Sequence, residues 1–317
     1  MRAIVFGGDG GMELEERPDP APGSSEVVVA VGHAGVNPAD LAQRAGRYPA
    51  PPGAPQDIPG MEVAGRVVAC GEAVRDWRAG DRVFGLVGGG GLADRVAVHE
   101  RHVTAVPERL DEPEAAAVPE AFITAHDAIV TQAGLGPGAV LLVNGANGGV
   151  GTAAVQIGVL AGARVIASAR SDEARRRLAE LGAEAVVPDD AVAHVRAAGG
   201  ADVVLELVGA PNLAGDLEAL AIRGSVVIVG TGAGAEAPLS LRALMGRRAR
   251  ILGTVLRARP LEEKAAAVQA FAHGVVPLLA DGRARGIVDR VFPAAEAEAA
   301  FAHMEQPGKF GKVLLSF

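Results

Sequence analysis

Apolar residues follow two different spacings along this chain, and the change of spacing divides it. Over roughly the first 115 residues, short apolar or alternating runs are separated by glycine and proline turns, which is typical of a compact β-rich domain. From about Asp111 onward, helix-forming segments alternate with short apolar runs, which is typical of a doubly wound parallel sheet. The pattern therefore predicts an α/β chain of two domains.

The pattern also predicts where most elements lie. In the first domain the expected strands are Arg2–Phe6, Met12–Glu15, Glu26–Gly32, Met61–Cys70, Arg82–Leu86, Leu92–Val98 and Thr104–Ala105, with a short helix at Pro38–Ala45. Ala121–Gln132 is predicted as one long helix that leads into the second domain.

The stretch from Ala139 to Ser171 carries the clearest functional signal. An apolar strand, a helix and a second strand surround a turn that contains Gly145, Gly148, Gly149 and Gly151. The spacing Gly-x-x-Gly-x-x-Gly permits a tight turn and a close approach of the backbone to a pyrophosphate. Free N–H groups at a helix start bind phosphate, so we expect Gly145, Gly148, Gly149 and Val150 to hold a dinucleotide in a Rossmann domain.

The end of the second strand indicates which dinucleotide is bound. An NAD site places an acid there, but no carboxylate occurs before Asp172. Arg170 instead offers a permanently charged donor to a 2′-phosphate, and Ser168 and Ser171 offer hydroxyl donors. A charge-assisted contact contributes about 1.5–3 kcal/mol, so we expect the protein to bind NADPH more tightly than NADH by roughly 10- to 150-fold. Arg175 remains an alternative ligand of the phosphate.

Charge and composition exclude several kinds of partner. The net charge of -8 argues against nucleic acid and anionic membranes. No run approaches the roughly 18 apolar residues of a spanning helix, and the N-terminus lacks a signal peptide's apolar segment, so a cytoplasmic location is expected. The single cysteine, Cys70, excludes an intrachain disulfide and is expected to be a small core residue.

Seven motifs carry a resemblance to a known family. They are G-V-N-P-A-D at Gly35, R-A-G-R-Y-P at Arg44, P-G-M-E-V-A-G at Pro59, G-D-R-V at Gly80, N-G-A-N-G-G-V-G at Asn144, G-T-V-L-R-A-R-P at Gly253 and G-K-F-G-K-V-L-L at Gly308. In this order they resemble the zinc-independent, zeta-crystallin-like quinone oxidoreductases of the medium-chain dehydrogenase/reductase superfamily. The resemblance implies a GroES-like catalytic domain over residues 1–118 and 259–317, a Rossmann domain over 119–258, an active-site cleft between them, and a homodimer.

The same resemblance implies that no metal takes part. Zinc-dependent members carry a cysteine where Asn37 stands and a histidine where Met61 stands, and neither residue present here is a strong zinc ligand. Glu62 alone does not hold catalytic zinc. His99 and His102 lack further ligands nearby in the sequence, so we interpret them as surface or turn residues.

The resemblance further implies catalytic roles for Asn37, Tyr48 and Thr124. Asn37 would donate to a carbonyl or to the nicotinamide ribose, and Thr124 would lie near the nicotinamide. The phenol of Tyr48 would donate a hydrogen bond or a proton to a developing enolate or hydroquinone oxygen. Three alternatives stay open: Asn37 as a turn residue before Pro38, Tyr48 as a packing residue, and water as the proton source. Asp40 is interpreted as a cap, or as a residue that supports others at the site, and not as a base.

The resemblance implies further cofactor contacts at Val208, Gly230, Leu256, Arg257 and Lys309. The expected activity is NADPH-dependent, zinc-independent reduction of a quinone or another α,β-unsaturated carbonyl compound. Two alternatives stay open: an enoyl or enone reductase of a biosynthetic pathway, and a crystallin-like protein that binds NADPH with little turnover.

Overall fold

The computed structural model describes residues 1–8 and 10–317. The chain divides into two compact units, one formed by Met1–Ile123 with Leu256–Phe317 and the other by Thr124–Val255. The expected fold class is confirmed, because the first unit is built on an antiparallel-rich sheet and the second on a wholly parallel one.

The strands are short and are numbered in chain order. They are β1 (Arg2–Phe6), β2 (Met12–Glu16), β3 (Glu26–Val36), β4 (Glu62–Cys70), β5 (Arg82–Leu86), β6 (Arg95–His99), β7 (Val103–Ala105), β8 (Val140–Asn144), β9 (Arg164–Ser168), β10 (Glu184–Val186), β11 (Ala201–Glu206), β12 (Leu220–Ile228), β13 (Arg250–Gly253), β14 (Val288–Pro293) and β15 (Lys312–Ser316).

The helices are concentrated after the first hundred residues. They are α1 (Pro38–Arg44), α2 (Glu112–Ala116), α3 (Pro119–His126), α4 (Gly149–Leu160), α5 (Asp172–Glu180), α6 (Pro188–Ala197), α7 (Leu213–Ala219), α8 (Leu241–Arg247), α9 (Leu261–Gly274), α10 (Val276–Ala280) and α11 (Ala297–Glu305). Short 3₁₀ turns occur at Glu100–His102, Ala210–Asn212 and Ala294–Glu296. Within the described residues, none of the helices has the length and apolar character that crossing a lipid bilayer requires.

The seven-stranded sheet of the first unit is organised around β3. Its strand order is β14-β15-β3-β4-β5-β7, and β6 also pairs with β3. Val27 and Val29 of β3 are fully buried and share a core with Phe301 of α11 and with Leu315 of β15. The edge of the Phe301 ring packs against Phe6, with 5.9 Å between the ring centroids. This core fixes β15 beside β3.

The six-stranded sheet of the second unit has the order β10-β9-β8-β11-β12-β13, and all its pairings are parallel. All five residues of β8 are buried, as expected for a parallel strand that is covered on both faces. β8 pairs with β9 on one side and with β11 on the other. The carboxyl ends of these strands, Asn144, Ser168 and Glu206, therefore meet at one edge of the sheet.

Three predicted features are corrected by the structure. The expected long helix Ala121–Gln132 begins earlier, as α3, and continues from Asp127 to Gln132 as a π-helix. The strand expected to end at Gly32 extends to Val36, because β15 pairs with its last residues. Cys70 is exposed and not a core residue, since it ends β4 on the outward-facing side of the strand's alternation.

Candidate active site

The glycine turn of the second unit joins β8 to α4. Gly145 has a φ of +70°, a left-handed backbone that glycine adopts without the cost borne by other residues. A Cβ on Gly151 would lie 2.5 Å from the carbonyl oxygen of Ala146, so helix and turn approach too closely for any side chain. A Cβ on Gly148 would meet open space. The turn thus leaves room beside the first N–H groups of α4, at Gly149 and Val150, and the N-terminus of a helix is the kind of place at which anions bind in proteins.

Ser168, Arg170 and Ser171 follow one another at the end of β9 but have different surroundings. Ser168 is 2% exposed, and its hydroxyl donates to Asn144 Oδ1 at 3.2 Å. Ser171 caps α5, where its Oγ accepts from the N–H of Ala174 at 3.2 Å. Arg170 is exposed. The structure therefore leaves Arg170 in a position to meet a ligand, while both serine hydroxyls already make hydrogen bonds within the protein.

Arg175, the alternative ligand of a 2′-phosphate, is bound to its own turn. Its Nη1 donates to the carbonyl oxygens of Ala169 at 3.0 Å and of Arg170 at 2.7 Å, and its Nη2 pairs with Asp172. These bonds hold the turn between β9 and α5, so this guanidinium is less available to a phosphate than that of Arg170.

A buried acid cluster lies beneath the glycine turn, and the sequence analysis missed it. Asn144 Nδ2 donates to Glu206 Oε2 at 2.8 Å and to Asp216 Oδ1 at 2.7 Å. Glu206 Oε1 accepts from the N–H groups of Val208 at 2.5 Å and Gly209 at 2.7 Å. The cluster is 5% exposed or less at Asn144, Glu206 and Asp216. A glutamate at the end of the apolar run V-V-L-E is the signal that could have found it.

The two acids of this cluster differ in the number of hydrogen bonds that their carboxylate oxygens accept. Both oxygens of Glu206 accept hydrogen bonds, whereas Oδ2 of Asp216 is buried without a partner. Burial, and then the neighbouring charge of Glu206, raise the pKa of Asp216 to about 8. Asp216 therefore keeps a proton to higher pH than a solvent-exposed aspartate does.

The other predicted residues of the second unit are Val208, Gly230 and Thr124. Val208 and Gly230 lie at the carboxyl ends of β11 and β12, on the same sheet edge as the glycine turn, and the N–H of Gly230 donates to the carbonyl oxygen of Glu206 at 3.1 Å. Thr124 lies in α3 and is 5% exposed. The glycines, Ser168, Val208 and Gly230 are thus brought together at one sheet edge.

In the first unit, Asn37 belongs to a buried ion-pair network. Asn37 Nδ2 donates to Glu62 Oε1 at 3.0 Å and to the carbonyl oxygen of Gly35 at 3.3 Å, while Oδ1 accepts from Lys312 Nζ. Lys312 Nζ lies 2.5 Å from Glu62 Oε1, with side-chain exposures of 6% and 0%. Glu62 Oε2 accepts from the N–H of Glu120 at 2.8 Å, at the start of α3. The amide of Asn37 therefore makes its bonds inside the protein.

The backbone of Asn37 caps α1, as the turn interpretation requires. Its N–H donates to Asp40 Oδ2 at 2.8 Å, and the N–H of Gly60 donates to Asp40 Oδ1 at 2.9 Å. Asp40 is fully buried, and burial raises its pKa to about 6 against the opposing effect of these two hydrogen bonds. The interpretation of Asp40 as a cap is confirmed.

Tyr48 and Arg257 lie together in the first unit. The guanidinium of Arg257 stands 5.4 Å from the centroid of the Tyr48 ring, donates to the carbonyl oxygen of Gly88 at 2.7 Å and donates to Gln43 Oε1 at 2.6 Å. Burial raises the pKa of Tyr48, opposed by the positive charge of Arg257. The phenol is therefore protonated at neutral pH, and the guanidinium of Arg257, which is 5% exposed, lies over the face of its ring.

Leu256 and Lys309 are the remaining predicted contacts of this unit. Leu256 is 5% exposed, and Lys309 Nζ donates to the carbonyl oxygen of Gln306 at 3.1 Å in the turn before β15.

The histidines and the acids do not form a metal site among residues 1–8 and 10–317, where no group of three His, Cys, Asp or Glu side chains is placed to hold an ion. His99 precedes the 3₁₀ turn and His102 is its last residue, and their ring centroids are 5.5 Å apart. Burial lowers the pKa of His102 to about 4, against the opposing hydrogen bond to the carbonyl oxygen of Leu261.

Comparison with known proteins agrees with this architecture. Residues 23–108 match the alcohol dehydrogenase GroES-like domain, and residues 149–273 match the zinc-binding dehydrogenase family. The chain belongs to the medium-chain dehydrogenase/reductase superfamily, and is therefore an oxidoreductase of that class. Within the superfamily it is homologous to the quinone oxidoreductases, which confirms the resemblance inferred from the motifs.

Three relatives illustrate the range of similarity. A quinone oxidoreductase of Sus scrofa is 32% identical, with 99% of this chain and 96% of that protein aligned. The quinone oxidoreductase of Thermus thermophilus, solved also in complex with NADPH, is 38% identical, with a TM-score of 0.86 and 100% of both chains covered. The enoyl reductase CurK is 26% identical, with a TM-score of 0.86, covering 99% of this chain and 98% of CurK.

Proposed function

We propose that this protein is an NADPH-dependent reductase of quinones or other α,β-unsaturated carbonyl compounds. The observation that carries the proposal is the sheet edge of the second unit, where an open glycine turn and the exposed Arg170 follow neighbouring parallel strands. Ligands of open α/β sheets bind at the carboxyl ends of the strands. A relative of 38% identity has been solved with NADPH, which supports the same cofactor here.

Within this proposal, the pyrophosphate is held by the turn of Gly145, Gly148, Gly149 and Val150. Arg170 binds the 2′-phosphate, because Arg175 is occupied by backbone carbonyls and by Asp172. Bound NADPH supplies the hydride, and the protein supplies orientation and a polar environment for the acceptor oxygen.

Zinc does not fit the residues that stand at the superfamily's metal position. Asn37 and Met61 replace the cysteine and histidine ligands, and the amide of Asn37 is bonded on both sides. Glu62, the one remaining carboxylate, is paired with the ammonium group of Lys312. A cation already occupies the place where a second cation would have to bind, so we assign no step to a metal.

Tyr48 is the proposed proton donor to the acceptor oxygen. Its phenol stays neutral well beyond neutral pH, and the contact of its ring with Arg257 holds it in one place. Asn37 is better suited to fixing the loop before α1 than to donating to a substrate, because its Nδ2 hydrogens are directed at Glu62 and Gly35. Its direct contact with the carbonyl or the ribose remains a hypothesis, as does that of Thr124 with the nicotinamide.

An enoyl reductase is the second candidate, because CurK shares the whole fold at 26% identity. Oxidation of NADPH, followed by its absorbance, should be measured with an ortho-quinone, with an enoyl thioester and with no acceptor. Turnover with the quinone supports the first proposal, and a preference for the thioester supports the second. NADPH binding with no turnover on either acceptor would refute both and leave the low-turnover binding protein.

The exposed apolar side chains of the second unit support the homodimer. β13 lies at the edge of the parallel sheet. Leu241 and Met245 of α8, which precedes β13 in the chain, and Val255, which follows it, are 64%, 75% and 55% exposed. Edge strands and contiguous apolar surface are commonly covered by another chain. A second copy of the protein is the proposed partner at this edge.

A further inference from the structure

Asn144 is the residue through which the buried acid cluster touches the dinucleotide turn, and this inference rests on the proposed function. It ends β8 and directly precedes Gly145, the first glycine of the turn. Its Oδ1 accepts from the hydroxyl of Ser168 at the end of β9. Its Nδ2 donates to Glu206, at the end of β11, and to Asp216 of α7. One amide thus links three strand ends of the proposed cofactor site.

The donors around the two acids are neutral. Glu206 accepts from Asn144, from Asn212 at 3.1 Å and from the N–H groups of Val208 and Gly209. Asp216 accepts from Asn144 through Oδ1, while its buried Oδ2 has no partner. Two adjacent carboxylates in a buried site cannot both stay ionised without a cation, so the pair holds one proton. The unused Oδ2 of Asp216 is the atom that can carry it without breaking a hydrogen bond.

Within the described part of the chain, Glu206 is the charged group that acts on the Asp216 carboxyl. The elements packed on α7 carry other charges, which lie on exposed or partly exposed positions. They are Asp189, Asp190, His194 and Arg196 of α6, Glu218 of α7 itself, Arg223 of β12, and Arg242, Arg247 and Arg248 at α8. On the side of β11, the π-helix carries the buried Asp127, whose Oδ2 accepts from the side chains of Gln132 and Thr254.

We propose that Asn144 is a positioning residue for the dinucleotide, and that tight binding requires the single proton that the Glu206–Asp216 pair holds. Loss of the proton leaves two buried negative charges beside the amide. The two carboxylates then repel each other and separate. Because Asn144 Nδ2 donates to both, this movement shifts Gly145, Ser168 and the Val208–Gly209 backbone together. NADPH affinity then falls as pH rises, and the loss follows the ionisation of the pair.

The direct test is the dissociation constant of NADPH, measured by its fluorescence from pH 6 to about pH 10. If only the protonated pair is competent, the apparent constant of the wild type rises about tenfold between pH 7 and pH 9. Asp216→Asn keeps the acceptor oxygen and cannot ionise, so it should bind as the wild type does at pH 7 and lose this rise. Asn144→Ala should weaken binding at every pH.

Asp202→Asn is the matched control. Asp202 lies on β11, the strand that ends at Glu206, but near the other end of that strand, where it is exposed and accepts from the N–H of Val140 at 2.8 Å. This variant should keep the pH profile of the wild type, including any contribution from the ligand's own phosphate. If the dissociation constant of NADPH rises with pH for Asp216→Asn as it does for the wild type, the inference is overturned.

A second measurement needs no variant. Calorimetric titration of the wild type with NADPH at pH 9, in two buffers of different ionisation enthalpy, should show uptake of nearly one proton per site. Binding without proton uptake would overturn the inference as well. If pH-dependent binding is found but no acceptor is reduced, the proposed function fails and the inference stands; if no dinucleotide binds at any pH, both fail.

Discussion

Replacing Lys312 with methionine tests how much the buried ion pair contributes to the first unit. The ammonium group donates to Val36, Asn37 and Glu62, and the substitution leaves the Glu62 carboxylate buried and unpaired. Removing one partner of a buried pair costs about 3–5 kcal/mol. Because the Lys312 side chain is only 6% exposed, little solvent screening reduces this figure.

Trp77 offers a probe that is specific to this unit. It is the single tryptophan of the chain, it packs against the core of the first unit, and its Nε1 donates to the carbonyl oxygen of Glu100 at 2.9 Å. Urea unfolding followed by its fluorescence should show the destabilisation of Lys312→Met directly. Arg101→Met is the matched control, because it removes an exposed ion pair with Glu262 in the same unit, and an exposed pair contributes much less to stability than a buried one.

The double variant E62Q/K312M removes both charges while keeping an oxygen that can accept from the N–H of Glu120. We expect it to be more stable than the sum of the single variants predicts, by about 1–3 kcal/mol. A loss for Lys312→Met no larger than that for Arg101→Met, or strictly additive effects, would show that the pair is not the buried, coupled unit described here.

The remaining predictions concern the cofactor, the proton and the assembly. Arg170→Ser should raise the KM for NADPH roughly 10- to 150-fold and leave that for NADH nearly unchanged; equal effects would exclude a 2′-phosphate contact. Tyr48→Phe should lower kcat by about 10²-fold or more, and wild-type activity should fall as alkaline pH ionises the phenol; an unchanged kcat would assign the proton to water. Met245→Glu should shift the sedimentation of the protein from dimer to monomer, and an unaltered dimer would place the interface elsewhere.

The glycine turn was predictable because its causes are local. The positive φ at Gly145 and the close approach at Gly151 are set by residues within a few positions of each other. Apolar runs that are buried on both faces mark parallel strands in the sequence itself. The fold class and the turn could therefore be inferred from spacing, and the family from its motifs.

The surroundings of the candidate catalytic residues were not predictable in this way. Asn37 is bonded to Lys312, 275 residues further along the chain, and Arg257 reaches Gln43 across 214 residues. No local pattern encodes such partners, so an amide expected to face a substrate proved to be bonded inward. The π-helix after α3 and the outward position of Cys70 likewise depend on packing that periodicity does not determine.

The position of β15 has a consequence for synthesis on the ribosome. β3 is among the first strands to emerge, yet its partner β15 and the ammonium group that neutralises Glu62 emerge only after all of the second unit has been made. Domains generally fold as units during synthesis, so the parallel sheet can form before β15 is available to pair with β3 in the first unit. During that interval one edge of β3 is unpaired and the carboxylate of Glu62 has no positive partner. Unpaired strand edges are prone to aggregation, so this is the stage of synthesis at which binding of a chaperone would matter most.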